Sequence, residues 1–356
     1  MNQRILHQFT EGITVGDAIS DQAFAVRAWL REAGFTSDIY ATHIHPALVK
    51  EVRPALSYRP QPGEKYVIYK HSIGSSLVDQ LLALPVRFLL VYHNVTPPAF
   101  VQSVDPALAR QLQKGIEQLG SLRERTDLAL ADSPFNEAEL RGAGFTQTGV
   151  LPITVEESRY QTPTSLQLVE KLRTRHPLLL FVGRLIPNKR QEDLLKLLYY
   201  YRRIDPAATL VLVGAKSLPA YGRWLQEMVR TLGLADHVLI TDHVTHEEMV
   251  TYFRTADLYV SMSEHEGFGK PLIESMLLGL PVLAYAATSV PGTLGGAGVL
   301  FHEKDFEVLA EMVDLLIKDT VLRQQVIARQ HERVEAFLVP QVKQLWQQYL
   351  QNMGLL

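Results

Sequence analysis

Short apolar runs alternate along the whole chain with stretches whose apolar side chains return every third or fourth position. The runs are short enough for strands, and the 3.6-residue stretches between them suit covering helices. In the first half the runs predict strands at residues 5–9, 38–41, 66–69, 87–92 and 128–131. Ile19, Ala23, Val26, Leu30 and Ala33 predict a helix after the first of them, reached through a glycine turn, Gly12-Ile-Thr-Val-Gly16. The pattern restarts at residues 178–182 and continues at 209–213, 238–241, 258–261, 282–285 and 299–301. Strands alternating with helices in this way imply an α/β chain built on parallel sheets.

The rhythm breaks once, in the polar stretch 156–165, which is rich in turn formers and reads as a linker. The expected domains are residues 1–158 and 166–335. Val342, Leu345, Trp346, Tyr349 and Leu350 mark one face of a last helix over 340–356. A length of 356 residues accommodates two full cores.

Composition narrows the classes. The chain is 47% hydrophobic and 21% charged with a formal net charge of -3, as in a soluble globular protein and unlike a strongly basic nucleic-acid binder. It contains no cysteine, which excludes disulfides, thiolate metal sites and a thiol nucleophile. No apolar run reaches membrane-spanning length, and the first residues lack the apolar region of a signal peptide. The expected location is cytoplasmic, with peripheral contact at the inner face of a membrane left open.

The densest chemistry lies in Ser263-Glu264-His265-Glu266-Gly267-Phe268-Gly269-Lys270-Pro271-Leu272-Ile273-Glu274. It reads as a strand end, a glycine loop and a helix start. Gly267 and Gly269 allow the backbone to approach a ligand closely. Pro271 suits a first helical turn, whose open amides attract a phosphate. Glu266 and Glu274 flank that turn, and two acceptor-only carboxylates are suited to gripping hydroxyls. This stretch, with Gly279-Leu280-Pro281-Val282-Leu283 after it, resembles the E-x7-E signature of the retaining glycosyltransferases of family 4, also called glycosyl transferases group 1.

A second element is Val182-Gly-Arg-Leu-Ile-Pro-Asn-Lys189. Arg184 and Lys189 follow a strand end, where ligands of open α/β sheets sit. Arginine's planar fork and lysine's point charge can together neutralise a diphosphate. The competing assignment for Arg184 is an exposed ion pair with Glu192 or Asp193. The element matches the family's V-G-R-x-x-x-x-K stretch. His71 and His93 end first-half strands and are expected at the rim of the site, where an imidazole can bond a sugar hydroxyl; a structural role is the alternative for each. Thr245 and Glu248 predict a capping box.

The resemblance implies a GT-B architecture: two Rossmann-like domains whose parallel sheets face across a cleft, with the last helix packed back on the first domain. It implies Glu266, His93, Arg184 and Lys189 in catalysis. Donor contacts would come from Gly16, Arg184, Lys189, Val244, Glu266, Gly267, Phe268, Gly269, Lys270, Leu272 and Glu274. His71 and Ser72 are the acceptor-side candidates. One departure is Asn94, directly after His93, where many members carry Asp. No metal ligands and no cofactor are expected, because the sequence lacks D-x-D, H-E-x-x-H and the P-loop pattern. The implied partners are a UDP- or GDP-linked hexose donor and a glycan, lipid-linked or other hydroxyl acceptor. A nucleotide-sugar epimerase and a non-catalytic nucleotide-sugar-binding subunit are the alternatives. A nicotinamide dehydrogenase is disfavoured, since Gly12-x-x-x-Gly16 lacks the full G-x-G-x-x-G fingerprint.

Overall fold

The computed structural model describes residues 4–356 and divides into two compact units. The first contains the chain up to Gln102, Pro106–Thr154 and Val339–Leu356; the second contains Ser103–Asp105 and Val155–Leu338.

The first unit carries seven parallel strands: β1 (Gln8–Ile13), β2 (Ile39–Ile44), β3 (Arg53–Pro54), β4 (Tyr66–His71), β5 (Arg87–Tyr92), β6 (Thr126–Ala131) and β7 (Thr148–Val150). Their spatial order is β3-β2-β1-β4-β5-β6-β7. The second unit carries six: β8 (Leu178–Val182), β9 (Thr209–Val213), β10 (Val238–Ile240), β11 (Leu258–Ser261), β12 (Val282–Tyr285) and β13 (Val299–Phe301). They lie in the order β10-β9-β8-β11-β12-β13, again all parallel. Both orders are doubly wound, and each reverses direction once, between β1 and β4 and between β8 and β11. In such sheets the crevice at the reversal, beyond the carboxyl ends of the strands, takes the ligand.

Burial explains why these strands were legible. β5, β8, β9, β11 and β12 are almost wholly buried, as parallel strands covered on both faces must be, so each reads as an unbroken apolar run. The edge strands β3 and β7, of two and three residues, carry no such run and were not predicted. β1 also differs: it begins at Gln8 and runs through Gly12, which pairs with His43. The turn is therefore limited to the residues after Ile13. The last helix, Val339–Asn352, inserts Val342, Trp346 and Leu350 into the first unit's core beside Leu30, Ile68 and Leu130. Their four-residue spacing keeps them on one face.

Candidate functional site

At the β8/β11 reversal, two loops are joined by their own peptides. Asn188, buried in a single turn Pro187–Lys189 after β8, donates through Nδ2 to the His265 carbonyl at 3.0 Å and accepts the Glu264 amide at 2.9 Å. This clasp brings the Lys189 ammonium into an ion pair with Glu266, both side chains about one-seventh exposed (15% and 14%). The two groups singled out from separate motifs thus meet directly.

Glu266 itself is held by its backbone. Its amide donates to Thr288 Oγ1, and its carbonyl accepts from Thr288 Oγ1 and Ser289 Oγ, each at 2.9 Å. Thr288 holds a φ of 47° to do so, a conformation rare for a branched residue. Thr293 Oγ1 donates to the Phe268 carbonyl at 2.7 Å. No motif in the sequence marks the loop containing Thr288, Ser289 and Thr293 as part of the site. Its hydroxyls in fact fix the Glu266 loop, a contact made 22 residues or more away in sequence.

Gly269, at a φ of 84°, precedes the helix Lys270–Leu277, with Pro271 in its first turn. Glu274 is buried one turn in, and Lys270 Nζ lies 3.7 Å from its Oε1. Phe268 and Leu272 are buried, while Gly267 is half-buried. Val244 is half-buried just before the helix His246–Thr255, whose Thr245/Glu248 capping box forms as the spacing predicts.

Arg184 is exposed in the loop after β8, and Gln191 Nε2 fixes its carbonyl at 2.9 Å. No carboxylate among the described residues pairs with its guanidinium. The alternative pairing is not formed, because Glu192 binds Arg190 and Asp193 binds Lys196 and Lys304. Lys304 also reaches Glu264 at 2.9 Å, and Arg190 does so at 2.6 Å. Burial alone would raise the Glu264 carboxyl, but the hydrogen bonds from Arg190 and Lys304 hold it below the usual carboxylate range. These acidic groups behind the loop are thereby neutralised by neighbours and leave Arg184 available. Gly214 was missed by the motif reading: a Cβ there would lie 2.1 Å from the Gly183 carbonyl oxygen, so the loops after β8 and β9 touch backbone to backbone.

In the first unit, Gly16 lies in an open loop at a φ of 76° before the helix Ala18–Glu32. His93, after β5, sets Nδ1 2.8 Å from Asp132 Oδ2, both side chains essentially buried. The histidine–carboxylate pair left open by Asn94 therefore exists, with the acid supplied from the end of β6. Asn94 instead takes a φ of 70° and donates to Asn136 and Glu139. His93 Nε2 is buried and makes no hydrogen bond, which is costly unless a ligand supplies one.

His71 corrects the expectation of a rim position. It completes β4, and strand alternation turns it toward the helix Pro106–Arg123, where it bonds the Gly115 carbonyl at 2.8 Å. Lys70 turns the other way and donates to Gln22 at 2.7 Å. Fully enclosed, His71 is unable to meet an acceptor. Ser72, next to it, is half-buried.

Burial, with a smaller push from His93, lowers the His71 pKa from 6.5 to about 4. Between those values the unfolded chain binds a proton that the folded unit refuses. The histidine's contribution is thus complete above pH 6.5 and is lost as pH falls toward 4. Urea unfolding of the first unit at pH 5 and pH 7 is expected to differ by about 2 kcal/mol from this group alone. Fluorescence of the buried Trp29 and Trp346 reports that unit, and His71→Asn should remove the difference. An unchanged slope in the variant would refute the assignment.

Residues 167–333 match the sequence model of the family described as glycosyl transferases group 1. A GDP-mannose-dependent alpha-(1-6)-phosphatidylinositol monomannoside mannosyltransferase of Mycolicibacterium smegmatis is 29% identical over 152 residues, covering 40% of this chain and 39% of that protein. A glycogen synthase of Mycobacterium tuberculosis is 26% identical over 294 residues, covering 78% of this chain and 65% of its own length. The chain thus spans less than two thirds of the length of these relatives. Among solved structures, Anabaena Alr3699/HepE in complex with UDP-glucose superposes with a TM-score of 0.75 at 18% identity, covering 98% of this chain and 99% of that one. WaaG, a glycosyltransferase involved in lipopolysaccharide biosynthesis, gives 0.71 at 14% identity over 95% and 97%. The fold is the α/β, two-unit GT-B architecture.

Proposed function

We propose that the chain, whose residues 167–333 match the sequence model of the group 1 glycosyl transferases, is a retaining, metal-independent hexosyltransferase of the family 4 type. It would move a hexose from a UDP- or GDP-sugar to a glycan, lipid-linked or other hydroxyl acceptor. One observation carries the reading: Lys189 and Glu266, from loops on either side of the sheet reversal, form an ion pair where the donor phosphate and sugar would have to lie.

Departure of a nucleoside diphosphate places growing negative charge on the bridging oxygen. Preorganised cations meet that charge without reorganisation. Lys189 and Arg184 fill this role, and the dipole of the helix Lys270–Leu277 favours negative charge at its start. Once Lys189 turns to phosphate, Glu266 is released to accept hydrogen bonds from sugar hydroxyls, its peptide still fixed by Thr288 and Ser289. Glu274 would hold the ribose. His93 fits a sugar hydroxyl or acceptor at its unpartnered Nε2, with Asp132 holding the ring by the opposite nitrogen. Front-face attack then retains configuration, and the departing phosphate takes the acceptor proton. The GDP-mannose-dependent relative supports a nucleotide-sugar donor, and the fold neighbour solved in complex with UDP-glucose is consistent with one.

The test is diphosphate release from UDP-glucose, GDP-mannose and related donors, with and without acceptor, in EDTA. Acceptor-dependent release undiminished by EDTA is the expected result. Loss of release in EDTA would overturn metal independence. Acceptor-independent release with a rearranged sugar would favour the epimerase, and binding without release the non-catalytic subunit.

A further inference from the structure

The chain passes from the first unit to the second through a segment that its composition marks as a linker. That segment is not loose. Tyr160, in the turn Glu157–Gln161, is buried and donates through its hydroxyl to Glu274 Oε1 at 2.6 Å. Its ring meets His246 edge-on at 5.5 Å, and its carbonyl accepts from Arg254 at 2.6 Å. Both partners belong to the helix that begins just after Val244.

The contact leaves Glu274 asymmetric. Oε1 takes the phenol and faces Lys270, while Oε2 has no hydrogen-bonding partner among the described residues. The side chain is only 4% exposed, yet Oε2 is not fully enclosed, so it is the carboxylate atom that a ligand can reach. The terminal torsion of glutamate is broad and two-fold, so nothing in the side chain fixes which oxygen points where. A short charge-assisted bond from a rigid phenol supplies that constraint.

We propose that Tyr160 is a positioning residue for the nucleoside end of the donor. By anchoring Oε1 it presents Glu274 Oε2 to the two ribose hydroxyls. This rests on the reading of Glu274 as the ribose-holding group. The linker tyrosine, 114 positions away from Glu274 in sequence, then becomes part of the donor site.

Isothermal titration of UDP and GDP, each beside its 2′,3′-dideoxy counterpart, tests this on wild type, Tyr160→Phe and Glu274→Gln. The readout is the ratio of affinities for the ribose and dideoxy forms, which is insensitive to the active fraction of a variant. Phenylalanine keeps the ring against His246 and removes only the hydroxyl. The ratio is expected to fall about fivefold or more in Tyr160→Phe and to approach one in Glu274→Gln. A wild-type ratio in Tyr160→Phe with a collapsed ratio in Glu274→Gln overturns the positioning role and leaves the ribose reading standing. A wild-type ratio in Glu274→Gln removes that reading and the inference with it. Equal loss of both nucleotide forms in Tyr160→Phe also overturns it, because orientation alone acts only through the hydroxyls.

Discussion

Lys189→Ala is expected to lower kcat about 10²–10³-fold with little change in nucleotide affinity, the loss typical of removing one preorganised charge stabiliser. The ammonium is mostly enclosed, 15% exposed, so its field at the leaving oxygen is weakly screened. Arg184 is exposed, and water dilutes its field; Arg184→Ala is expected to cost less in kcat and more in KM. In the free protein Lys189 neutralises Glu266. The alanine variant therefore leaves a partly buried carboxylate uncompensated, but the Thr288 and Ser289 bonds to the Glu266 peptide keep the loop in place. Steady-state kinetics beside single-turnover measurements separate the effects. Equal falls in kcat and kcat/KM mark an interaction made in the transition state, whereas raised KM with intact kcat would reduce Lys189 to a ground-state binder.

How much of this was legible follows from where each signal lives. Residues 178–182, 209–213, 258–261 and 282–285 match strands to the residue, because a strand buried on both faces writes its whole length in apolar letters; 299–301 also matches, although β13 is an edge strand and only partly buried. The Thr245/Glu248 cap is local and was equally readable. The glycine loop and both cationic positions were visible as motifs, since backbone approach and helix starts use neighbouring residues. What was hidden is contact across sequence. Asp132 reaches His93 over 39 positions, Thr288 reaches Glu266 over 22, and Tyr160 reaches Glu274 over 114. No periodicity encodes such pairs. His71 failed for another reason: the predicted strand ended at residue 69, two short of the observed end, and a strand's length decides which helix its last side chain meets.

Gly214→Ala is expected to damage both stability and chemistry. Its φ of 149° is one that side chains rarely adopt, and the new Cβ would fall 2.1 Å from the Gly183 oxygen and 2.6 Å from the Gly183 carbonyl carbon. Both are backbone atoms, so no rotamer change relieves the clash. Overpacking and backbone strain together cost about 3 kcal/mol or more, equivalent to a fall in Tm of about 10 °C for a unit of this size. The only relief is separation of the loops after β8 and β9, which breaks the Leu185 amide bond to the Ala215 carbonyl at 3.0 Å. That movement carries the Gly183–Arg184 peptide with it, since the Arg184 amide lies 3.3 Å from the same Cβ position. A shift of about 1 Å in a positioning group can reduce turnover about 100-fold. In stability, Gly16→Ala provides the contrast: at a φ of 76° with nothing within 4 Å, it should be destabilised by no more than the left-handed strain of about 1–2 kcal/mol. Calorimetry and donor turnover on the two variants measure the difference. If Gly214→Ala melts and turns over like the wild type, the backbone contact between the two loops does not hold Arg184 in place.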